Sequence, residues 1–378
     1  MAGEINFKYF KTIGFVCLIL ASCRSSKLDY KTSFRYSEKK MNTTELSFAD
    51  LKGWEIDNQL QSLEAFKKSC TKILKEGDFV ASSQIVISAN FIKNVCSSIP
   101  QGNITNTQAR LFFEEWFSPY KITTLDGNDK GKFTGYYETE LEGSLTASKQ
   151  CLNPIYGKPY DLPTDGSQYL SRKQIERGAI RNKAPVLFYA KRASDVILLH
   201  IQGSGVVKTP DNKYYRVGYA GNNGYKFTGI GSILMKHNIR PKNGYSMNSV
   251  KEWLDNNPKT AQKLIAENDR YIFFRDIDGD GPIGAMGVPL TPMNSIAVDP
   301  EYIPLGIPMF INTTDADGME INRLMVAQDV GAAIKGSIRA DIFFGRGEKA
   351  FSKAGRQNAT GKYYILLPKN SKNFAIKR

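Results

Sequence analysis

Histidine is almost absent from this chain. His200 and His237 are the only two in 378 residues, which leaves little room for histidine-based metal sites or catalytic triads. Acidic residues are also short, at 37 against 51 Lys and Arg, so the net charge is +14. No zinc-ligand pattern, RNP motif or basic helix accompanies that charge, and nucleic acid is therefore not the expected partner. An anionic membrane surface or an anionic polymer could accept the charge, and a merely solvated basic surface is the plainer reading. No apolar run is long enough to span a bilayer, and there is no internal repeat or low-complexity block. Charged residues at 23% and hydrophobic residues at 41% describe a folded chain with ample core.

The N-terminus carries the first positive signal. Lys8 and Lys11 precede the apolar run Ile13–Ala21, which has the length of a signal-peptide h-region. It ends Leu20-Ala21-Ser22-Cys23, small residues before a cysteine, as in a bacterial lipobox. We expect residues 1–22 to be removed and Cys23 to carry lipid. Arg24 follows, with no Asp there to signal inner-membrane retention, so the expected place is the outer membrane facing the periplasm. Residues 23–45 are polar and aperiodic and read as a tether. Some 22 flexible residues reach roughly 25–30 Å.

Of the later cysteines, Cys70 and Cys96 lie on neighbouring expected helices and are the likelier disulfide pair in an exported protein, which leaves Cys151 free. Leu60, Leu63, Phe66, Cys70 and Ile73 recur at helical spacing, as do Ile85, Ala89, Ile92 and Cys96. Arg110 to Phe117 gives a third, shorter helix. Beyond Lys132 short strands between glycines dominate, among them Pro185–Lys191, Val196–Gln202 and Tyr214–Tyr219. Capping boxes at Ser171/Gln174 and Ser249/Glu252, and the Asn257-Pro258 pair, start helices. The last hundred residues are again short strands, which suggests a closed barrel.

Two motifs are weak on inspection. Asp276-Ile277-Asp278-Gly279-Asp280-Gly281 opens like an EF-hand loop, but its twelfth position is Gly287 rather than Glu. Asp329-Val330-Gly331 resembles the aspartic-protease turn without its hydroxyl residue or a second copy. A denser constellation lies around it. It comprises Ala297-Val298-Asp299-Pro300, Ala327-Gln328-Asp329-Val330-Gly331 and Ala340-Asp341-Ile342-Phe343-Phe344-Gly345. Taken singly, each aspartate is an ordinary turn former.

Together they resemble the membrane-bound lytic murein transglycosylase A family, whose C-terminal module is named for three aspartates. Phe133-Thr134-Gly135-Tyr136-Tyr137-Glu138, His200-Ile201-Gln202-Gly203-Ser204-Gly205, Arg216 to Gly224 and Gly284 to Pro292 extend the likeness over residues 130–368. One departure is Ala332, where the family usually has a second glycine after Gly331.

The resemblance implies a mainly β fold with some α. A double-psi β-barrel, residues 46–139 and 273–378, would carry an inserted second β-barrel, residues 140–272, with a glycan in the groove between. It also implies an enzyme that cuts peptidoglycan and leaves a 1,6-anhydromuramic acid end. Asp341 matches the catalytic acid–base, Asp329 its supporting neighbour and Asp299 a structural residue. We expect the pKa of Asp341 to be raised either by the apolar Ile342, Phe343 and Phe344 that follow it or by like-charge repulsion from Asp329. Thr134, Tyr136, Tyr137 and Gln202 are candidate sugar contacts, the two tyrosines being alternately core and surface on a strand. No cofactor or metal is expected. Partners would be glycan strands, a membrane through the lipid anchor and other wall-remodelling proteins. A peptidoglycan hydrolase that admits water and a non-catalytic wall-binding barrel remain alternative readings.

Overall fold

The computed structural model describes residues 41–76, 81–279 and 281–376. The expected signal peptide, Cys23, most of the expected tether and Asp280 lie outside the described residues. The described part of the tether is not free chain. β1 (Asn42–Glu45) pairs antiparallel with β3 (Phe117–Thr123).

Between these two strands the chain builds a helical layer. α1 (Gln59–Glu76) buries Leu63, Phe66, Cys70 and Ile73 at the spacing of one helix face. β2 (Ile85–Ile87) precedes α2 (Ala89–Ser97), so the helix expected from Ile85 begins four residues later. Ser88 sets that start by accepting the Phe91 N–H. α3 (Asn106–Trp116) opens with a capping box between Thr105 and Gln108. Its Phe112 and Phe113 pack with Phe66 and Phe117. Cys70 and Cys96 are joined by a disulfide that ties α1 to α2 across 26 residues, which is worth roughly 3 kcal/mol in the loop-entropy account. Cys151 is free and buried.

β4 (Gly131–Ser144) is the organising strand. After it come β5 (Asn153–Tyr156), α4 (Arg172–Gln174) with a π-helical turn Ile175–Ala179, β6 (Val186–Ala190) and α5 (Ala193–Gln202). β7 (Ser204–Lys208), β8 (Tyr214–Asn222), α6 (Ile230–Lys236), α7 (Met247–Asn256), α8 (Pro258–Ile265) and β9 (Ile272–Asp276) complete the insertion. The C-terminal part adds β10 (Ser295–Val298), β11 (Pro308–Thr314), β12 (Glu320–Val330), β13 (Arg339–Arg346), α9 (Glu348–Arg356), β14 (Asn358–Pro368) and β15 (Phe374–Ile376).

Hydrogen-bonded neighbours run β14-β11-β12-β10-β13-β4, and β4 pairs back to β14, so these strands close into a barrel. β10–β12 and β13–β4 are its parallel pairs. A second ring runs β4-β7-β8-β9 and returns through β5 and β6 to β4, with a bridge between Gly157 and Phe274. β4 belongs to both rings. Its Lys132–Glu138 stretch pairs with β13, and Thr139–Glu142 pairs with β7. The domain limits drawn from the sequence, 139/140 and 272/273, therefore fall inside strands rather than at linkers. Where the rings meet, the buried Glu138 accepts from Arg216 Nε at 2.7 Å, and Arg216 also donates to the Gly279 carbonyl.

Two local expectations need correction. Val196–Gln202 is helical, part of α5, and the run Ser194–His200 is buried on every side. An unbroken apolar run has no period that separates a buried strand from a fully buried helix. α7 starts at Ser246, not Ser249: Ser246 accepts the Ser249 N–H at 3.2 Å.

Candidate active site

The barrel register lines the expected residues up. Asp329 on β12 stands opposite Ala297 on β10, Ala297 opposite Asp341 on β13, Asp341 opposite Thr134 on β4, and Thr134 opposite Asn358 on β14. Cross-strand partners share a face, so these five positions form a row around the barrel. A bulge between Ile296 and Ala297 brings Asp329 into it. The alternate residues Phe133, Ile296, Val298, Ala340 and Ile342 belong to the main core. The row therefore faces outward, beside the point where β4 leaves for the second ring. Two strand spacings separate Asp329 from Asp341, roughly 9–10 Å between backbones, with only an alanine methyl between.

Asp341 is held by a directed chain of hydrogen bonds. Arg339 Nη2 donates to Thr134 Oγ1 at 2.8 Å, and Thr134 Oγ1 donates to Asp341 Oδ1 at 2.5 Å. Guanidinium only donates, so the threonine proton must point at the carboxylate. The other oxygen, Oδ2, has no hydrogen-bond partner among the described residues. Part of Asp341 reaches the surface, yet its surroundings are dense. Burial raises its pKa, opposed by the Thr134 bond and the Arg339 charge.

Asp329 Oδ1 accepts the backbone N–H groups of Ala285 and Val330, both at 2.9 Å. Burial nevertheless pushes its pKa up to about 6, with the Asp341 charge adding to the rise. The Tyr136 hydroxyl is buried beside it, near enough to interact electrostatically but without completing hydrogen-bond geometry. The loop that supplies Ala285 lies against β12, where Gln328 O accepts from Met286 N. Gly284 permits that approach, because a Cβ there would sit 2.5 Å from Gln328 O.

Like-charge repulsion adds to burial at Asp329, while at Asp341 burial is the leading cause of the rise. Repulsion within such a pair is mutual, and the second proton is the one held longer.

The other expected residues divide. Tyr136 packs on Phe343 at 5.2 Å beside the aspartates. Tyr137 points to the opposite side. It is buried against Phe351, Ala350 and Ala354, and its hydroxyl bonds Thr139 Oγ1 at 2.8 Å. It cannot stack on a ligand, and the strand's period of two is the reason. Gln202 ends α5, where its Oε1 accepts the Tyr137 N–H at 3.0 Å and its Nε2 faces Met247 Sδ. Both ends of that amide already have protein partners. Asp299 is buried and accepts from Gly336 N, Glu301 N and Lys335. It fixes the loop that joins Asp329 to Asp341.

Arg339 and the Ala285 amide were missed. Arg339 was readable, since it lies two residues before Asp341 and so on the same strand face. A backbone N–H has no residue signature. A cavity of about 500 Å³ begins at Asn358, the far end of the row, and extends along Asn128, Lys130 and Lys132. It does not include either aspartate. Among the described residues no cluster of His, Cys, Asp or Glu is suited to a metal.

Paired, desolvated carboxylates on the outer face of a closed barrel, at the root of a second ring, define an acid–base enzyme on a β scaffold. Residues 132–275 match the MltA specific insert domain, and residues 294–367 match the 3D domain. Membrane-bound lytic murein transglycosylase A of Escherichia coli (strain K12) is 32% identical over 273 residues, covering 70% of this chain and 72% of that protein. The crystal structure of MltA from Neisseria gonorrhoeae superposes with a TM-score of 0.75 at 31% identity, covering 87% of this chain and 93% of that one. E. coli MltA with bound chitohexaose gives a TM-score of 0.64 at 25% identity, covering 82% and 90%. The chain belongs to the membrane-bound lytic murein transglycosylase A family.

Proposed function

We propose that this protein is a lytic transglycosylase that cuts the β-1,4 bond between N-acetylmuramic acid and N-acetylglucosamine in peptidoglycan, with Asp341 as its single acid and base. The observation that carries this reading is the Asp341 carboxyl. One oxygen is fixed by Thr134, the other has no partner among the described residues, and burial and bonding pull its pKa in opposite directions. A group that must first give and then take a proton works best with an intermediate affinity. Asp341 protonates the glycosidic oxygen, and the C1–O bond breaks. The same carboxylate then takes the proton of the C6 hydroxyl while O6 bonds to C1. One proton is returned, no water is consumed, and a 1,6-anhydro ring forms. Asp329 lends negative charge to the cationic C1, while Thr134 and Arg339 position Asp341. Tyr136 offers the wall of the sugar site.

The chitohexaose bound to the E. coli relative supports a β-1,4-linked glycan as substrate. Digestion of purified peptidoglycan, with mass analysis, tests the chemistry. Anhydro ends one water lighter than reducing ends are expected; reducing ends alone would establish a hydrolase, and no products a binding barrel. We further propose membrane attachment through a lipid on Cys23, in the outer membrane. The relatives named membrane-bound support attachment. No described helix is long and apolar enough to cross a bilayer. Replacing Cys23 with Ala should block lipidation and the cleavage before residue 23; the same lipid-modified mature protein from the variant would refute the anchor.

A further inference from the structure

We propose that Arg216 is a positioning residue: it clamps both chain crossings between the two rings and so sets the span over which a glycan lies beside the aspartates. This rests on the peptidoglycan reading above. The face of β4 that carries Thr134 and Tyr136 continues, two residues at a time, to Glu138 and Glu140. Glu140 stands opposite Val206 on β7, and Val206 opposite Arg216 on β8. Cross-strand partners share a face, so Arg216 leaves the second ring on the same side as the row. Glu138 lies two residues from Tyr136, about 7 Å along the strand.

The guanidinium holds two segments at once. On the outgoing crossing, Nε donates to Glu138 Oε1 at 2.7 Å and Nη2 donates to Oε2 at 3.5 Å, a two-pronged grip on the carboxylate. Glu138 is buried and is the last β4 residue paired with β13; Thr139 is the first paired with β7. On the return crossing, Nη1 donates to the Gly279 carbonyl, just past the end of β9. The Arg216 carbonyl accepts the Ile277 N–H at 2.9 Å. Gly218 makes room for that segment, because a Cβ there would overlap the Ile277 side chain.

Both held segments lead to the row. Before Glu138 the strand carries Tyr136 and Thr134. Beyond Gly279 the chain reaches Ala285, whose amide holds Asp329. The clamp touches neither aspartate; it fixes where the second ring stands against them. A lysine brings the charge but lacks the rigid fork that fits a carboxylate and a carbonyl together.

The test compares sugars of two lengths, since a long glycan reaches both rings and a disaccharide only one. Wild type, Arg216→Lys, Glu138→Gln and Glu138→Gln/Arg216→Gln are titrated calorimetrically with chitohexaose and with chitobiose, and KM and kcat are measured on peptidoglycan. Wild type should favour chitohexaose. Arg216→Lys and the double variant should cut that advantage about tenfold and raise KM by a similar factor, with kcat changed far less and the pH limbs of activity unmoved. Glu138→Gln keeps the hydrogen bonds and should keep most of the advantage. Burial raises the Glu138 pKa against the Arg216 charge. Arg216→Lys retains a charge opposite that carboxylate and the double variant leaves none there, so either serves if the other does not fold. An advantage equal in wild type and both Arg216 variants overturns the proposal, even if their melting temperatures fall, as does a loss in kcat alone. Wild type that binds neither sugar overturns the glycan reading and the clamp with it. Product masses from the same samples judge the cleavage chemistry separately.

Discussion

Both rings bury charge, and they do it in opposite ways. In the insertion, Arg172 is 1% exposed. Its Nε donates to Asn268 O at 2.8 Å, its Nη2 to Arg270 O at 2.6 Å, and it lies over the Tyr271 ring. Nη2 also meets His200 Nδ1 at 2.8 Å, so Nδ1 must accept and the imidazole proton sits on Nε2. Burial and the Arg172 charge hold the His200 pKa well below its usual value. That cluster fixes one protonation state and uses the charge to pin backbone carbonyls. In the barrel row, Asp341 keeps an oxygen free and Asp329 stays desolvated despite two amide bonds. The difference separates a charge fully engaged by protein partners from carboxylates that are desolvated and only partly bonded. The row's aspartates are held at a cost that a purely structural site would not carry.

The largest expected effect breaks the row alone. Asp341→Asn keeps size and the Thr134 contact but cannot trade a proton. Anhydro-product release at saturating peptidoglycan should fall at least 10²–10⁴-fold, roughly 3–5 kcal/mol of barrier, while thermal unfolding and glycan binding stay near wild type. A folded variant with more than about a tenth of the activity would remove Asp341 from the mechanism.

A second change sharpens the cost argument. Asp329 has its pKa raised from 3.8 to about 6, so the folded state binds its proton more tightly than the unfolded chain does. That stability is fully present below pH 3.8 and is lost as pH rises through 6, roughly 3 kcal/mol at most. Asp329→Asn should therefore be more stable than wild type at pH 8 and no more stable at pH 4, by thermal melts. It should be less active. The upper pH limb of activity should also move down, because no neighbouring carboxylate charge then opposes release of the Asp341 proton. A variant equally destabilised at both pH values would refute the strain at Asp329.

The smallest effect has the opposite sign and belongs to the insertion. His200 is depressed, so the stability it contributes is present above pH 6.5 and is lost as pH falls through its lower folded value. His200→Gln should flatten the acid side of the melting curve without moving the pH limbs of activity. A shift of those limbs would mean the two rings exchange protons after all.

The sequence was most informative where chemistry follows strand order. The three aspartates, Thr134 and the β runs around them were readable because a strand has a period of two and the motifs sit in or at the ends of β10, β12, β13 and β4. Tyr137 was not, since adjacent tyrosines carry equal sequence weight and only the packing of α9 decides which is covered. α9 itself went unread: its buried residues, Ala350 and Ala354, are too small to stand out as an apolar face. α5 was misread for the opposite reason, being apolar all round. The Ala297 bulge, which brings Asp329 level with Asp341, leaves no trace in residue type.

β4, shared by both rings, also constrains how this family can change. Each side chain on it answers to a partner on β13 in its first half and on β7 in its second. Adding or deleting one residue between Tyr136 and Thr139 would turn every later side chain to the wrong face. Loops on either ring are free to lengthen, but along this strand viable length changes come in steps of two. Surviving relatives should therefore differ in their loops long before they differ in the spacing from Thr134 to Glu142.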